Sequence, residues 1–197
     1  MKRSTIGLAA LGSTLFATLF STLFATLASG CARQEQLPPL PASRVSIAAG
    51  KPASDFSARD IDGKTIALSD HLTKEVILLN FCASWCEPCV QEFPHLRRIY
   101  DANRARGLFV MAISMDGPES AANVPAFARR NQLNFPMLID ADSRIAALYN
   151  PKKAAPLTIL IDRTGKIALV REGYNVGDEE TLVVEIEKAL AGPATTR

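Results

Sequence analysis

The sequence predicts a single α/β domain over residues 51–192, in which a central mixed β-sheet is flanked by helices. Short apolar runs alternate there with helical patterns, and such alternation favours a mostly parallel sheet. Asp62-Gly63 separates two short strand-like runs and predicts a β-hairpin at the start of the domain. The turn Arg163-Thr164-Gly165 between the last two apolar runs predicts a closing hairpin. One domain of this size can form one hydrophobic core.

Local patterns support each element. The run 76–81 is almost entirely apolar, which is typical of a strand buried on both faces of a sheet. Pro88 and Pro125 suit the first turn of a helix, where a missing N–H costs nothing, whereas Pro94 predicts an interruption. In chain order we predict strands at 56–61, 65–68 and 76–81, a helix at 86–106, a strand at 108–114, a helix at 123–131, a strand at 136–139, a helix at 143–149, strands at 157–161 and 166–171, and a helix at 178–191.

The N-terminus predicts export. A basic start, Met1-Lys2-Arg3, precedes an uncharged apolar stretch at 6–28, which is typical of a secretory signal. Ala28-Ser29-Gly30-Cys31 resembles the lipobox of bacterial lipoproteins, in which the cysteine is acylated. The alternative is an uncleaved anchor, since about 20 apolar residues can span a bilayer. In both cases the domain is tethered to a membrane outside the cytoplasm.

Composition and charge complete the predicted organisation. Residues 1–30 form the signal peptide, 31–50 the lipidated cysteine with a proline-rich flexible tether, and 193–197 a disordered tail. Loss of Lys2 and Arg3 with the signal leaves 20 basic and 20 acidic residues. A neutral mature chain without a basic stripe does not suggest a nucleic-acid partner.

The segment Trp85-Cys86-Glu87-Pro88-Cys89 is the strongest chemical signal in the chain. Cys86 falls at a strand-to-helix turn, where backbone N–H groups and the helix dipole favour the thiolate. Cys89, one turn later, can resolve a mixed disulfide. A structural disulfide or half of a zinc site would use the same spacing. Zinc requires a second ligand pair, and the only histidines, His71 and His95, do not supply one.

Two segments carry a family resemblance. Residues 80–94, NFCASWCEPCVQEFP, resemble the active-site segment of thioredoxin-superfamily oxidoreductases of the membrane-anchored TlpA and ResA type, which carry a redoxin domain similar to AhpC/TSA. Residues 156–167, PLTILIDRTGKI, resemble the family's cis-proline strand. The resemblance implies a thioredoxin-like fold with an N-terminal β-hairpin and an inserted α/β element.

The same resemblance implies residue roles. Cys86 is the nucleophile and Cys89 the resolving thiol of a redox disulfide. Glu92 is a carboxylate buried behind the cysteines that takes part in proton transfer, for which a pKa raised by desolvation suits it. The residues implied in substrate binding are Trp85, Ala155 and the cis residue Pro156.

The resemblance further implies a thiol-disulfide oxidoreductase that needs no cofactor or metal. Its partners are disulfide-containing protein substrates and an upstream membrane thiol reductant, and the expected state is a monomer. Cytochrome c maturation and general periplasmic disulfide reduction agree equally well with the resemblance. A lipid anchor in the inner membrane and one in the outer membrane are both compatible with it.

One departure and two rival functions stay open. Cys82 stands where the family carries Trp, and we expect it to be buried and inert, although a disulfide with Cys86 or a soft-metal site is conceivable. A peroxiredoxin shares the fold, but its P-x-x-x-[ST]-x-x-C motif is absent, since Ala83 lies three residues before Cys86. A Sco-like copper carrier would use Cys82 and Cys86 with a later histidine, and none follows His95.

Overall fold

The structure is a computed structural model that describes residues 44–46 and 50–193. The predicted signal peptide, the acylation site Cys31 and most of the predicted tail lie outside the described residues. Among the helices of the described part, none has the length and apolar character needed to cross a bilayer.

The central element is a six-stranded sheet in the order β1-β8-β7-β4-β5-β6. The strands of the chain are β1 Arg44–Ser46, β2 Ser57–Arg59, β3 Thr65–Ala67, β4 Val76–Cys82, β5 Leu108–Ser114, β6 Met137–Ile139, β7 Leu157–Ile161 and β8 Ile167–Glu172. Only β4–β5 and β5–β6 pair in parallel, so the prediction of a mostly parallel sheet is wrong and that of a mixed sheet is confirmed. The predicted hairpins are also present, as β2–β3 and β7–β8.

In the part of the chain that the structure describes, four α-helices accompany these strands: α1 Glu87–Asn103, α2 Val124–Arg130, α3 Arg144–Tyr149 and α4 Asp178–Ala191. The predicted interruption of α1 at Pro94 is wrong, because the helix continues through it. Proline removes one backbone N–H, but Phe93 and Leu96 on either side are buried in the core and hold the helix in place.

The predicted flexible segment 31–50 is too long at its C-terminal end. Arg44–Ser46 forms β1 and pairs antiparallel with β8, with Val45 opposite Arg171. Farther along, Ile167 of β8 donates its N–H to the carbonyl of Lys51 at 2.9 Å. These residues cover backbone groups that a free edge of β8 would leave unpaired.

The sheet separates two apolar layers. One face packs against α1, α2 and α4, and the other packs against α3 and the β2–β3 hairpin. All seven residues of β4 are buried, as expected for a central strand covered on both faces. The site described next therefore starts at the end of a strand that is buried along its whole length.

Candidate active site

The turn between β4 and α1 carries the cysteine pair, as predicted. Cys86 is the N-cap of α1, and its sulfur accepts the backbone N–H of Cys89 at 3.2 Å. Glu87 and Pro88 form the first turn, where proline needs no N–H partner. A sulfur in this position lies at the positive end of the helix dipole, which favours negative charge on it.

Cys86 and Cys89 are joined by a disulfide, with their Cα atoms 5.4 Å apart. Cys86 retains 3% exposure, whereas Cys89 is fully buried. The two sulfurs are therefore not equivalent, because an external thiol or disulfide can approach only from the side of Cys86.

A groove of about 530 Å³ begins at the residues between the cysteines. Three segments line it: Glu87, Pro88 and Gln91 from α1, Ala155-Pro156, and Gly173–Val176 after β8. The Ala155–Pro156 peptide bond is cis, as the family resemblance implies. The carbonyl of Pro156 accepts the N–H of Gly173 at 2.8 Å, which ties two of the segments together.

Two large apolar side chains stand in solvent near this region. Val176, on the groove wall, is 82% exposed, and Trp85, directly before Cys86, is 70% exposed. Trp85 does not line the groove itself, although the sequence places it with Ala155 and Pro156 as a substrate contact. Exposed apolar side chains beside a reactive sulfur are typical of a surface that binds another molecule.

Glu92 lies on α1 three residues after Cys89, in the interior of the protein. It is 1% exposed, which confirms the predicted burial. Its Oε1 accepts hydrogen bonds from Arg171 Nη2 at 2.5 Å and from Thr158 Oγ1 at 3.1 Å, and its Oε2 accepts one from Asn80 Nδ2 at 2.9 Å.

The three partners of Glu92 form a polar row across the sheet. Asn80 of β4 is in register with Thr158 of β7, and Thr158 is in register with Arg171 of β8. Residues in register project to the same face, which here is the face covered by α1 and α4. Arg171 also donates from Nη1 to the carbonyl of Asp178, at the start of α4, at 2.9 Å.

Burial raises the pKa of the Glu92 carboxyl above its ordinary value. The positive charge of Arg171 and the hydrogen bonds from Asn80, Thr158 and Arg171 oppose this rise and reduce it. Glu92 is therefore a buried carboxyl whose pKa is raised by desolvation and lowered by the charge of Arg171 and its hydrogen-bond donors, with desolvation the larger effect.

The family resemblance did not point to the members of this row. Each is a buried polar residue inside a mostly apolar strand: Asn80 in VILLNFC, Thr158 in LTILI and Arg171 in IALVRE. Such an exception is the available sequence signal, because buried polar groups require partners. The register that brings the three together is visible only in the folded sheet.

Cys82 is a free thiol and is fully buried. Its pKa is raised strongly, first by burial and then by the negative charges of Asp116 and Glu92. A neutral, buried thiol packs as a small apolar group and is a poor nucleophile. Within the described ranges, no cluster of three or more His, Cys, Asp or Glu side chains is arranged to hold a metal ion.

Comparison with known proteins agrees with this geometry. The profile of the AhpC/TSA family matches residues 49–170. The chain is 35% identical over 132 residues to thiol-disulfide oxidoreductase ResA of Bacillus subtilis. The aligned segment covers 67% of this chain and 72% of that protein. It is 33% identical over 130 residues to ResA of Geobacillus thermodenitrificans, with 66% and 72% covered.

Solved structures show the same fold. A crystal structure from Chlorobium tepidum, of a protein assigned as the thiol:disulfide interchange protein DsbE, superposes with a TM-score of 0.68 at 33% identity and covers 74% of this chain and 100% of that one. A solution structure from Bacteroides thetaiotaomicron, assigned as a protein disulfide isomerase, gives 0.67 at 30% identity, with 75% and 93% covered. The thioredoxin-like fold is thereby confirmed, and the chain belongs to the AhpC/TSA family as a thiol-disulfide oxidoreductase.

Proposed function

We propose that this enzyme reduces disulfide bonds in protein substrates, with Cys86 as the attacking thiolate and Cys89 as the resolving thiol. The position of Cys86 at the start of α1 is the observation that carries the proposal. Its sulfur accepts the Cys89 N–H, and it retains the exposure that Cys89 lacks. An accessible thiolate stabilised by a helix N-terminus is the form that attacks disulfides.

The proposed reaction starts from the reduced pair. The Cys86 thiolate attacks one sulfur of the substrate disulfide, so that a mixed disulfide forms and one substrate thiolate leaves. Cys89 loses its proton, attacks Cys86 Sγ and releases the second substrate thiolate, which takes up a proton. Two electrons pass to the substrate, and the Cys86–Cys89 disulfide seen in this structure is the oxidised product.

Glu92 is the proposed acceptor of the Cys89 proton. It lies three residues after Cys89 on α1, and side chains with this spacing are neighbours on one face of a helix. Arg171 and Thr158 occupy Oε1, whereas Oε2 accepts only from Asn80 and keeps a free lone pair. Arginine can only donate, so its hydrogen bond to Oε1 leaves no proton to exchange at that oxygen. We therefore assign the exchanged proton to Oε2.

The groove is the proposed binding site for the substrate polypeptide. Ala155 and Pro156 form one wall beside the residues that separate the cysteines, and Val176 projects from the other. Trp85 extends the apolar surface on the side of Cys86. Among the groove-lining residues only Glu87 carries a full charge, so recognition rests mainly on backbone and apolar contacts. Such recognition suits substrates that differ in sequence, including apocytochrome c and other periplasmic proteins.

The proposed location is the extracytoplasmic face of a bacterial membrane, with Cys31 acylated and an upstream membrane thiol reductant restoring the dithiol. Support comes from the sequence of residues 1–31, which resembles a lipoprotein signal. Cys31→Ser should abolish incorporation of labelled palmitate into the full chain expressed in bacteria. Equal labelling of Cys31→Ser and the unaltered protein would contradict the lipid anchor.

Reduction of insulin disulfides by the detergent-solubilised full chain, with dithiothreitol as the electron source, tests the catalytic proposal. Cys86→Ser should reduce the rate to that of dithiothreitol alone. Cys82→Ser is the matched control, because it removes a nearby thiol, at the end of β4, that is buried and neutral. Activity retained by Cys86→Ser, or lost equally in Cys82→Ser, would contradict the assignment.

A further inference from the structure

A second buried carboxyl, Asp116, lies close to the redox turn and has no part in the reaction described above. It follows β5 by two residues and is 1% exposed. Its Oδ2 accepts hydrogen bonds from the backbone N–H of Ser84 at 3.0 Å and from Ser114 Oγ at 2.7 Å. Its Oδ1 accepts from Ser84 Oγ at 2.5 Å. All three donors are neutral groups.

Ser84 is the residue through which Asp116 reaches the active site. It stands two positions before Cys86, in the turn that follows β4. This turn is also closed by the Cys86 N–H, which donates to the carbonyl of Ala83 at 3.1 Å. The end of β5 fixes the start of the turn, since the Met115 N–H donates to the carbonyl of Cys82 at 2.9 Å.

The next strand of the sheet offers an internal comparison. Asp140 follows β6, is 3% exposed, and accepts the backbone N–H groups of Ile145 at 3.0 Å and Ala146 at 2.8 Å. It thereby holds the first turn of α3, which is an ordinary structural use of a carboxylate. Asp116 instead holds an irregular turn, with both oxygens directed to the residue beside Trp85.

The redox cycle gives this contact a specific task. In the oxidised protein, the covalent bond to Cys89 holds Cys86 in position. After reduction that bond is absent, and the Cys86 sulfur stays at the helix N-terminus only if the turn itself is rigid. The hydrogen bonds between Asp116 and Ser84 involve neither cysteine side chain, so reduction of the disulfide does not remove either partner.

We propose that Asp116 is a positioning residue that, through Ser84, holds the turn of the reduced enzyme so that Cys86 Sγ remains in contact with the Cys89 N–H. This inference rests on the proposed role of Cys86 as the attacking thiolate. Positioning and simple electrostatics predict opposite results. Loss of position removes a hydrogen bond from the thiolate and raises the Cys86 pKa, whereas removal of a nearby negative charge lowers it.

The experiment compares Asp116→Asn, Ser84→Ala, Ser84→Thr and Asp140→Asn in the detergent-solubilised full chain. The Cys86 pKa is obtained from the pH dependence of its alkylation by iodoacetamide in the reduced protein. Asp116→Asn and Ser84→Ala should both raise this pKa by about one unit, which corresponds to one hydrogen bond, and Ser84→Thr should restore it because the hydroxyl is kept. Asp140→Asn should lower thermal stability without moving the Cys86 pKa.

A lower Cys86 pKa in Asp116→Asn, or an unchanged one in both Asp116→Asn and Ser84→Ala, would overturn the inference. Ser84→Ala keeps the carboxylate in place, so it gives a result even where Asp116→Asn fails to fold. Failure of the proposed function has a different signature, because in that case Cys86→Ser retains insulin reduction. If Cys86→Ser loses insulin reduction as expected, but the Cys86 pKa is unchanged in the Asp116 and Ser84 variants, only the positioning role is rejected.

Discussion

The two sides of the Cys86–Cys89 disulfide differ in every physical property that matters for exchange. The outer side is an open groove of about 530 Å³ with exposed apolar side chains and one charged residue, Glu87. The inner side is a buried polar row in which Arg171 donates a hydrogen bond to Glu92. Under the proposed mechanism, this difference separates electron transfer to a substrate, on the outer side, from proton transfer to Glu92, on the inner side. Substrates of many sequences can therefore use one internal proton acceptor.

The largest expected effect separates the two sulfurs. Cys86→Ser should abolish disulfide exchange, whereas Cys89→Ser should form a stable mixed disulfide with substrate, because attack occurs from the outer side and resolution from the inner side. Non-reducing electrophoresis and mass spectrometry of the variants mixed with oxidised insulin provide the measurement. If both variants accumulate the mixed disulfide equally, the assignment of sides is incorrect.

The second effect concerns the buried ion pair of Glu92 and Arg171. Arg171→Met removes the cation that opposes the desolvation of the buried Glu92 carboxylate, and it should lower the free energy of unfolding near neutral pH by about 3–5 kcal/mol. The double variant Glu92→Gln/Arg171→Met removes both charges and should recover most of that loss, since a buried pair is often replaceable by neutral residues. Urea unfolding measures both values.

Arg106→Met is the matched control for this comparison, because the Arg106–Glu187 pair is exposed at the surface. Exposed pairs contribute little, so this variant should change stability by less than about 1 kcal/mol. A double variant that is as unstable as Arg171→Met alone would show that the two charges do not compensate each other.

The third effect is a pH dependence whose sign follows from the raised pKa of Glu92. A raised pKa means that the folded state binds the proton more tightly than the unfolded state. The resulting stability is fully present below the ordinary carboxyl value of 4.5 and is lost as pH rises through the raised value. The free energy of unfolding of the unaltered protein, measured relative to that of Glu92→Gln/Arg171→Met, should therefore fall by up to about 1.4 kcal/mol per pH unit as pH rises from the ordinary carboxyl value through the raised pKa. A difference that stays constant or rises with pH would contradict the raised pKa.

The smallest effect belongs to the groove. Val176→Asp should raise KM for insulin by about threefold to tenfold, because it places a charge on an apolar contact surface, and should leave kcat almost unchanged. Bis(2-hydroxyethyl) disulfide, which has no polypeptide to place in the groove, should react at the normal rate. Val184→Asp on α4 is the matched control, since Val184 is also exposed and does not line the groove. Equal changes in both variants would mean that the groove has no role in substrate binding.

The part of the fold that the sequence predicts is the part set by local patterns. The apolar runs of β5 and β7 and the helix α4 are predicted with their correct bounds, and the place of Cys86 at the start of α1 follows from a strand that ends before a proline-containing helical pattern. The errors at Pro94 and at Arg44–Ser46 have another origin. There, packing and edge pairing decide the structure, and neither is encoded in a short window of sequence.

The inner side of the site shows the same limit. The family resemblance assigns Glu92 a role and a buried place, but nothing in the sequence states that Arg171 of β8 is its partner. The two residues meet because β4, β7 and β8 align Asn80, Thr158 and Arg171 in one row. From the sequence alone, Glu92→Gln would have been expected to change stability by about 1–2 kcal/mol, like an ordinary substitution. The prediction for Arg171→Met, in contrast, depends on a partner that only the folded sheet reveals.

The most direct test of the separation between the two sides is a single-turnover measurement on the reduced enzyme mixed with oxidised insulin. Trp85 is the sole tryptophan of the chain and adjoins Cys86, so its fluorescence can report the formation and the resolution of the mixed disulfide. In the Glu92→Gln/Arg171→Met variant, attack by Cys86 should proceed at the unaltered rate, and resolution by Cys89 should slow by about 10²-fold near neutral pH, the usual contribution of a positioned proton acceptor. Equal slowing of both steps, or no slowing of resolution, would contradict the account.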